Sequence, residues 1–312
     1  MNTAILILNW NGGTDTLSCL TSLLPHLGES DHVFIIDNGS TDDSVAQTEQ
    51  HLYSQGFSYK SCHSAALLQT FRADHRIYIV RNQSNLGFGA GNNVVLKQLV
   101  SLNYNFELAW LLNNDARVEA DTLKGLKSSI RKEATIAVAG SLILNEPDGS
   151  TVQCSGVKYY KWLGVSKLIN KNVPLSKLNR NEAIAFDYLN GASLLFDLAA
   201  LHKAGYFDER FFLYSEEQDL QLRLQALGYK LHLDLNSVVL HRLSGGTSNK
   251  RHLFYYYYNQ SAVLLNRKHF AGACTLTALY SLAAITLIRT FPSFKNFSWG
   301  IKGIFAGITT KL

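Results

Sequence analysis

The chain has 312 residues, with 29 Lys and Arg against 24 Asp and Glu for a formal charge of +5. That length accommodates one large α/β domain, a sizeable core and an appendage. Its basic residues are scattered apart from Lys250-Arg251-His252 and Arg267-Lys268-His269, which argues against a nucleic-acid groove, and its four cysteines (Cys19, Cys62, Cys154, Cys274) lie too far apart for metal-ligand or redox pairs, so free thiols in a reducing compartment are expected.

Ala4-Ile5-Leu6-Ile7-Leu8 is a continuous apolar run, the pattern of a strand buried on both faces of a parallel sheet, and Asn9-Trp10-Asn11-Gly12-Gly13 breaks it sharply. The run is too short for the apolar core of a signal peptide, so none is expected and the active domain is expected to face the cytoplasm. A helix is predicted over Thr16 to Leu27. Val33-Phe34-Ile35-Ile36 gives a second strand, and Asp37-Asn38-Gly39-Ser40-Thr41-Asp42 suits a tight turn into a helix. Residues 49 to 76 lack a clear period and read as a helical excursion or insertion. Ile77-Tyr78-Ile79-Val80 gives a third strand, Asn85 to Asn93 opens a helix with glycines at 87, 89 and 91, and Leu108-Ala109-Trp110-Leu111-Leu112 gives a fourth strand ending at Asn113. Strand and helix alternation predicts a doubly wound sheet, in which polar loops at the strands' carboxyl ends share one crevice.

Beyond Ala137-Val138-Ala139-Gly140, short strands and turns are expected to about Pro174, a mixed-sheet region that shapes an acceptor pocket. Phe207 to Asp219 is an aromatic turn carrying Glu216, Glu217 and Asp219 into an amphipathic helix (Leu220, Leu222, Leu224, Leu227) that stops at Gly228. Val238-Val239-Leu240 is a last strand, followed from His241 to Ser248 by a glycine-containing loop that can move over a ligand. The uncharged stretch Ala271 to Ile288 would make a helix about 27 Å long, at the lower edge of a bilayer span. Its hydroxyls at Thr275, Thr277, Ser281 and Thr286 do not gather on one face, and Arg289, Lys295, Lys302 and Lys311 lie beyond it, so a soluble-domain or interfacial helix is expected in preference to a span.

Acids at a helix start are favoured by the macrodipole, and a solvated, capped helix explains one or two of them. Three behind an aromatic turn, in a chain with two further polar strand ends, point to a general base and a metal-nucleotide site. Asn113-x-Asp115 offers one hard carboxylate for Mg²⁺ or Mn²⁺ held jointly with substrate phosphates; a strand-end Asx turn is the plain alternative. His241 can complete that shell or be structural. The glycines at 87, 89 and 91 follow the third strand rather than the first, unlike a dinucleotide fingerprint, which disfavours a dehydrogenase. A nucleotidyltransferase would carry a basic phosphate loop after the first strand, and Asn9 to Gly13 has no Lys or Arg.

Asn9-Trp10-Asn11, Asp37 to Asp42, Asn85-x-Gly87-Phe88-x-x-Gly91-Asn92, Leu112-Asn113-x-Asp115, Gly191-Ala192, Gly205-x-Phe207-Asp208-Glu209-x-Phe211-Phe212 and Glu216-Glu217-x-Asp219-Leu220, closed by His241, together resemble the family 2 inverting glycosyltransferases of GT-A fold. The likeness runs in order over about residues 3 to 268 and is greatest to the bacterial rhamnosyltransferase-like branch. It implies an α/β GT-A fold with a Rossmann-like doubly wound mixed sheet. A catalytic domain over 1–248 is expected, with a nucleotide-sugar half to about 118 and an acceptor half from 119, and a C-terminal helical, membrane-associated region over 249–312.

The resemblance implies that Asp37 reads the nucleotide base, with Asn9, Asn11, Asn38 and Ser40 lining that pocket and Asn85, Gly87, Gly91 and Asn92 beside the nucleoside. Asn113, Asn114, Gly191 and Ala192 fall among the substrate-binding positions. Asp115 matches the last acid of a D-x-D metal motif whose first acid is Asn113 here, and His241 would bind the metal or the pyrophosphate. Glu217 matches the general base, with Glu216 the alternate; Asp219 orients an acceptor or, paired with Arg223 four residues on, supports the loop. The implied donor is dTDP-L-rhamnose first, with UDP-hexose or UDP-galactofuranose as alternatives. The implied acceptor is a lipid-diphosphate-linked glycan of bacterial surface polysaccharide (O-antigen or capsule), met at the inner face of the cell membrane. A sugar-nucleotide-binding protein without catalysis is the non-enzymatic alternative.

Overall fold

The computed structural model describes residues 1–242, 251–270 and 272–312. The first half alternates strands and helices: β1 (Thr3–Asn9), α1 (Gly13–Leu23), β2 (Asp31–Asp37), α2 (Ser44–Ser54), β3 (Lys60–His63), α3 (Leu67–Thr70), β4 (Ile77–Arg81), α4 (Phe88–Leu99) and β5 (Leu108–Asn113). Then come β6 (Ala116–Val118), α5 (Thr122–Arg131), β7 (Ile136–Asn145), β8 (Val152–Cys154), β9 (Val157–Tyr160), β10 (Val165–Leu168), β11 (Ser193–Asp197), α6 (Leu198–Lys203), α7 (Glu216–Ala226) and β12 (Lys230–His241). Three helices close the chain: α8 (Arg251–His269), α9 (Ala273–Thr290) and α10 (Phe294–Thr309).

One mixed sheet runs β3-β4-β2-β1-β5-β11-β7-β12-β6, with β8 beside β7, and β9 and β10 form a separate hairpin. β1 lies parallel between β2 and β5, so the chain reverses its direction of travel across the sheet there. Crevices open at the carboxyl edge of such a switch point. β1, β2 and β5 are almost wholly buried because helices cover both faces. Ile5, Ile7, Val33, Ile35 and Trp110 pack on one face with α1 and α5; Ala4, Leu6, Phe34, Ile36 and Leu111 pack on the other with α4 and α7.

Three sequence expectations change. The first helix stops at Leu23 and tightens into a 3₁₀ turn over Leu24–His26, at Pro25. Residues 49 to 76 hold the edge strand β3 as well as helix, so Ile77–Arg81 is the fourth strand in chain order; β3 is four largely exposed residues, Lys-Ser-Cys-His, with no apolar alternation to reveal it. The last strand begins eight residues early, at Lys230, with its register against β7 shifting between Asp234 and Val238.

α8 fixes the helical tail to the sheet domain. Leu264 and Leu265 pack on Phe211, while Ala262 and Val263 pack on Leu282 of α9 and Ile304 of α10. A methyl at Gly303 would run into the Tyr256 carbonyl, so glycine is what lets α10 approach α8. The Arg267-Lys268-His269 cluster is consumed in this joint. Arg267 donates to the Gly307 and Thr310 carbonyls at the end of α10, at 2.8 and 2.7 Å. Lys268 and His269 reach Asp219 Oδ1 at 2.7 and 2.8 Å, and Arg223 binds its other oxygen, so Asp219 is fully buried among three basic side chains. Burial alone would raise its pKa; the His269 hydrogen bond, the Arg223 charge and Lys268 outweigh that and hold it below the usual value.

A group so depressed adds stability that is complete above its unfolded pKa and is lost as pH falls through the folded one. Asp219→Ala should therefore lower unfolding stability at pH 7 by about 3 kcal/mol, because Arg223, Lys268 and His269 lose their shared acceptor, with the difference shrinking below about pH 4. Urea titrations of both chains read this directly, and equal midpoints at pH 7 would remove Asp219 from the joint.

Candidate active site

Asn9 ends β1 in the crevice, and its amide is shared among three loops. Nδ2 faces Asp37 Oδ1 at 3.3 Å, Ser40 Oγ at 3.2 Å and Ser44 Oγ at 3.0 Å. Oδ1 accepts from the Gly12 N–H at 3.1 Å and the Thr16 hydroxyl at 3.0 Å. Asn11, at φ 51°, accepts the Thr41 N–H at 2.7 Å, and its own N–H donates to Ser40 Oγ at 2.9 Å. Asn9, Asn11, Asp37 and Ser40 thus form one connected wall.

Asn38 forms the next part. Its Nδ2 donates to Asn85 Oδ1 at 3.0 Å and the Gly87 carbonyl at 3.1 Å, while its Oδ1 accepts from the Leu86 N–H and Asn82, each at 3.2 Å. Gly87 has φ 85°, and a Cβ there would strike the Phe212 carbonyl, the same carbonyl that accepts the Phe88 N–H at 2.9 Å. The glycine thereby brings the start of α4 against the aromatic turn that feeds α7. Gly91 packs beside Asn38 and Leu8. Asn92, by contrast, is buried and donates to the Phe88 carbonyl within its own helix.

At the end of β5, Asn113 Nδ2 lies 3.3 Å from His241 Nε2, and Asp115 Oδ1 lies 3.0 Å from the same nitrogen. Gln153 orients this imidazole: its Oε1 faces His241 Nδ1 at 2.7 Å, and its Nε2 donates to the His241 carbonyl at 2.9 Å. Gln153 thereby fixes the ring so that Nε2 faces both the Asn113 amide and Asp115. Asn114 turns away from this pair toward the Gly12 carbonyl and Thr16. Among the described residues no group of three or more His, Cys, Asp or Glu gathers, so Asp115 and His241 are the pair a hard cation would find here, its remaining ligands coming from outside the protein. Of the closing loop, residues 243–248 lie outside the described residues.

α7 starts at Ser215, which has φ 63°, and Glu216, Glu217 and Asp219 occupy its first turn. Gln221, fully buried, clamps the preceding strand segment: Oε1 accepts the Leu189 N–H at 2.8 Å and Nε2 donates to the Leu189 carbonyl at 2.9 Å. Gly191 consequently passes beside Glu217, where an added Cβ would stand 3.5 Å from Glu217 Cγ. The Ala192 carbonyl accepts the Asn113 N–H at 3.0 Å, tying this side to the Asp115 strand end. Burial pushes the Glu217 carboxyl up to about 7, against the pull of the backbone N–H groups of Glu217 and Gln218. Glu216 is 4% exposed, its Oε2 has no partner among the described residues, and burial first and the Glu217 charge second raise its pKa well above the usual range. The two acids are thereby given unequal protonation, the arrangement acid-base chemistry uses. Asp219 is shifted the opposite way, held by Arg223, Lys268 and His269 in the joint with α8.

The model of the family described as Glycosyl transferase family 2 matches residues 4–178, more than half of the chain. The chain belongs to glycosyl transferase family 2. Solved structures add the fold. The chain is similar to the mannosyltransferase PcManGT from Pyrobaculum calidifontis in complex with GDP-Man and Mn²⁺, at TM-score 0.58 and 13% identity over 98% of this chain and 86% of that one. It is similar to GalNAc-T7 with UDP, GalNAc and Mn²⁺, at TM-score 0.63 and 15% identity over 99% of this chain and 57% of that one. It is also similar to S. aureus TarS 1-349 in complex with UDP-GlcNAc, at TM-score 0.58 and 14% identity over 99% of this chain and 81% of that one. No curated protein sequence matches. The family 2 chain has the GT-A fold: a large mixed sheet with helices on both faces and a helical C-terminus. The family match takes in Asn9 to Asp115 and Gln153 but stops short of Gly191, Glu217 and His241, whose assignment stands on geometry.

Sequence reasoning did not single out Gln153, Gln221, Thr16 or Asn93, which anchors the Phe207 backbone through both its amide atoms. Each is a buried or half-buried polar residue inside a regular element, and only the partner across the fold marks it. Because the native chain must hold a proton on Glu216 that the unfolded chain releases above about pH 4.3, stability is lost as pH rises toward the folded pKa. Glu216→Gln removes that loss: its urea midpoint should gain on the native chain's between pH 5 and 8, by up to about 1.4 kcal/mol per pH unit. A constant difference across that range would contradict the buried, protonated acid.

Proposed function

We propose that this family 2 chain is an inverting glycosyltransferase that moves a sugar from a nucleotide-sugar to a hydroxyl of a glycan acceptor, with Glu217 as general base. The observation that carries the reading is Glu217 itself: a carboxyl near pKa 7 beside Gly191, joined through Ala192 and Asn113 to the Asp115–His241 pair. A base of that pKa is half ionised where cells operate and can take the acceptor proton as C1 gains positive character. Asn9, Asn11, Asp37, Asn38, Ser40, Asn85 and Gly87 form the preorganised wall for the nucleoside, because their hydrogen bonds are already made to one another. Asp115 and His241 would hold Mg²⁺ or Mn²⁺, which when bound neutralises charge on the diphosphate; the solved neighbours with Mn²⁺ and nucleotides support that choice.

The donor we assign first is dTDP-L-rhamnose, on the sequence's likeness to the rhamnosyl branch, with UDP-hexose and UDP-galactofuranose next. The neighbours with UDP and UDP-GlcNAc favour keeping UDP in the comparison. The acceptor is a lipid-diphosphate-linked glycan of bacterial surface polysaccharide, and the chain works at the inner membrane face.

α9 and α10 support the membrane contact. α9 turns Cys274, Ala278, Leu282, Thr286 and Thr290 inward and exposes Leu276, Tyr280, Leu287 and Ile288, while Phe291, Phe294 and Phe305 continue that surface. Residues 235 to 312 contain nine Lys and Arg and no Asp or Glu, and Arg289, Lys295, Lys302 and Lys311 are exposed. A helix with its small and hydroxyl residues packed and its large apolar ones exposed, in a segment with exposed cations and no acids, suits the surface of an anionic bilayer. By length and composition α9 is also apolar enough to cross a membrane; its packing against the paired α8 and α10 favours lying along the surface.

Glu217→Gln should abolish transfer while UDP or dTDP still raises the melting temperature, and native kcat/KM should climb with pH and level off above about 7. Near-normal turnover in the variant would remove Glu217 as the base. Gln153→Leu, which frees the imidazole, should weaken Mn²⁺ binding in the presence of nucleotide about 10–100-fold by calorimetry; an unchanged isotherm would exclude His241 as a ligand. The chain should float with phosphatidylglycerol vesicles at low salt, and Ile288→Glu with Phe291→Glu should leave it at the bottom of the gradient. A native chain that never floats would end the membrane reading.

A further inference from the structure

A groove of about 570 Å³ lies between the β9–β10 hairpin, α7 and the end of α8. Six aromatic residues line it: Tyr159, Tyr160, Trp162, Phe186, Tyr188 and Phe270. Gln218, the residue after the candidate base, is on its wall at 2% exposure, and its side-chain Oε1 has no hydrogen-bond partner among the described residues. A buried amide oxygen left so calls for a donor that the protein does not supply. Tyr188 connects the groove to the base: its hydroxyl bonds Ser166 at 2.8 Å, and its pKa is raised far above the ordinary value by burial first and the nearby Glu217 charge second.

We propose that this groove binds the saccharide of the acceptor, with aromatic rings stacking on sugar C–H faces and Gln218 Oε1 accepting a hydrogen bond from a sugar hydroxyl. The proposal rests on the transferase reading, and it names the substrate class that the base would meet. A sugar presents apolar faces edged by hydroxyls, which matches flat rings beside an amide. An apolar lipid chain would fill the aromatic space and leave the Gln218 oxygen unsatisfied. A nucleotide would want phosphate partners, and Lys161 is the one Lys or Arg among the lining residues, its Nζ held 5.7 Å from the Phe270 ring centroid. The mouth is open at the hairpin tip, where Trp162 is 52% and Leu163 43% exposed, so a larger glycan can extend outward.

The test is saturation-transfer NMR on the full chain, with the p-nitrophenyl glycosides of α-L-rhamnose, β-D-glucose, β-D-galactose and N-acetyl-β-D-glucosamine as probes. At least one should bind saturably, and Trp162→Ala and Gln218→Leu should each weaken it about tenfold. Tyr53→Ala, on the exposed side of α2, should leave it unchanged. Trp162 lies at an exposed hairpin tip, so its variant remains informative if Gln218→Leu fails to fold. Thermal shifts with UDP and dTDP are read on the same samples. Nucleotide binding with no saturable glycoside, or with glycoside binding undiminished in Trp162→Ala, would overturn the groove while the transferase reading stands. Glycoside binding that is lost in the variants, in a chain that responds to no nucleotide, would uphold a saccharide site and sink the transferase reading instead.

Discussion

The fold depends on satisfying the polar end of a strand that is buried on both faces. β1 has apolar neighbours above, below and to each side, so where it meets the crevice its last side chain cannot rely on bulk water. Asn9 answers this with one amide that reaches Asp37, Ser40 and Ser44 with its nitrogen and takes two hydrogen bonds at its oxygen. The ends of β1 and β2 and the starts of α1 and α2 are therefore fixed to one another before any ligand arrives. Asn38 repeats the device one strand over, and Gly87 carries it to the turn before α7. Buried polar networks rigidify when their members bond one another, and here those mutual bonds of Asn9 and Asn38 preorganise a binding wall.

The three acids of α7 show how little a helix N-terminus decides alone. All share one dipole and one turn, yet they are assigned different charge states by what surrounds them. Glu216 faces protein with an oxygen unpartnered and is driven toward the neutral form; Glu217 keeps backbone donors and some exposure and stays near 7; Asp219 meets Arg223, Lys268 and a His269 hydrogen bond and stays ionised. Two neighbouring carboxyls cannot both hold full charge at close range, so the deeper one keeping its proton is what lets the shallower one act as a base. Gln221 sets this by fixing the depth of the helix against Leu189.

The parts legible in the sequence are those whose signal is local. β1, β2, β4 and β5 are unbroken apolar runs with polar terminators, and α7 ends at Gly228 where a left-handed residue is needed, so periodicity and punctuation located them. β3 escaped because a short exposed edge strand has no hydrophobic face to repeat, whereas the start of β12 was legible, since Lys230 to Asn236 alternates polar and apolar residues strictly, and was passed over for the continuous apolar run Val238-Val239-Leu240. The residues facing the crevice were named from ordered motifs, and the structure joins most of them by direct hydrogen bonds. Asn92 and Asn114 instead point into the scaffold, and Asp219 into the helical joint. Gln153 and Gln221 carry no sequence signal, since a glutamine inside a strand or helix is ordinary until its partner across the fold is known.

The basic, apolar C-terminus was one feature in the sequence and is two in space. Arg267, Lys268 and His269 are bound to α10 carbonyls and to Asp219 and have no freedom to meet an outside anion. Arg289, Lys295, Lys302 and Lys311 are exposed on the same two helices, and the segment after them, that carry the exposed apolar residues. Composition cannot separate these groups, because only the fold decides which cations meet an internal acid. The division also relates the outward face to the chemistry. Gly164, in the β9–β10 hairpin, packs directly on Leu282 and Ala278 of α9, so the hairpin that walls the aromatic groove is braced by the helix that presents the apolar surface. An acceptor whose saccharide entered that groove and whose lipid stayed in a bilayer would then be held at both ends by one rigid unit, with the hydroxyl to be glycosylated between them.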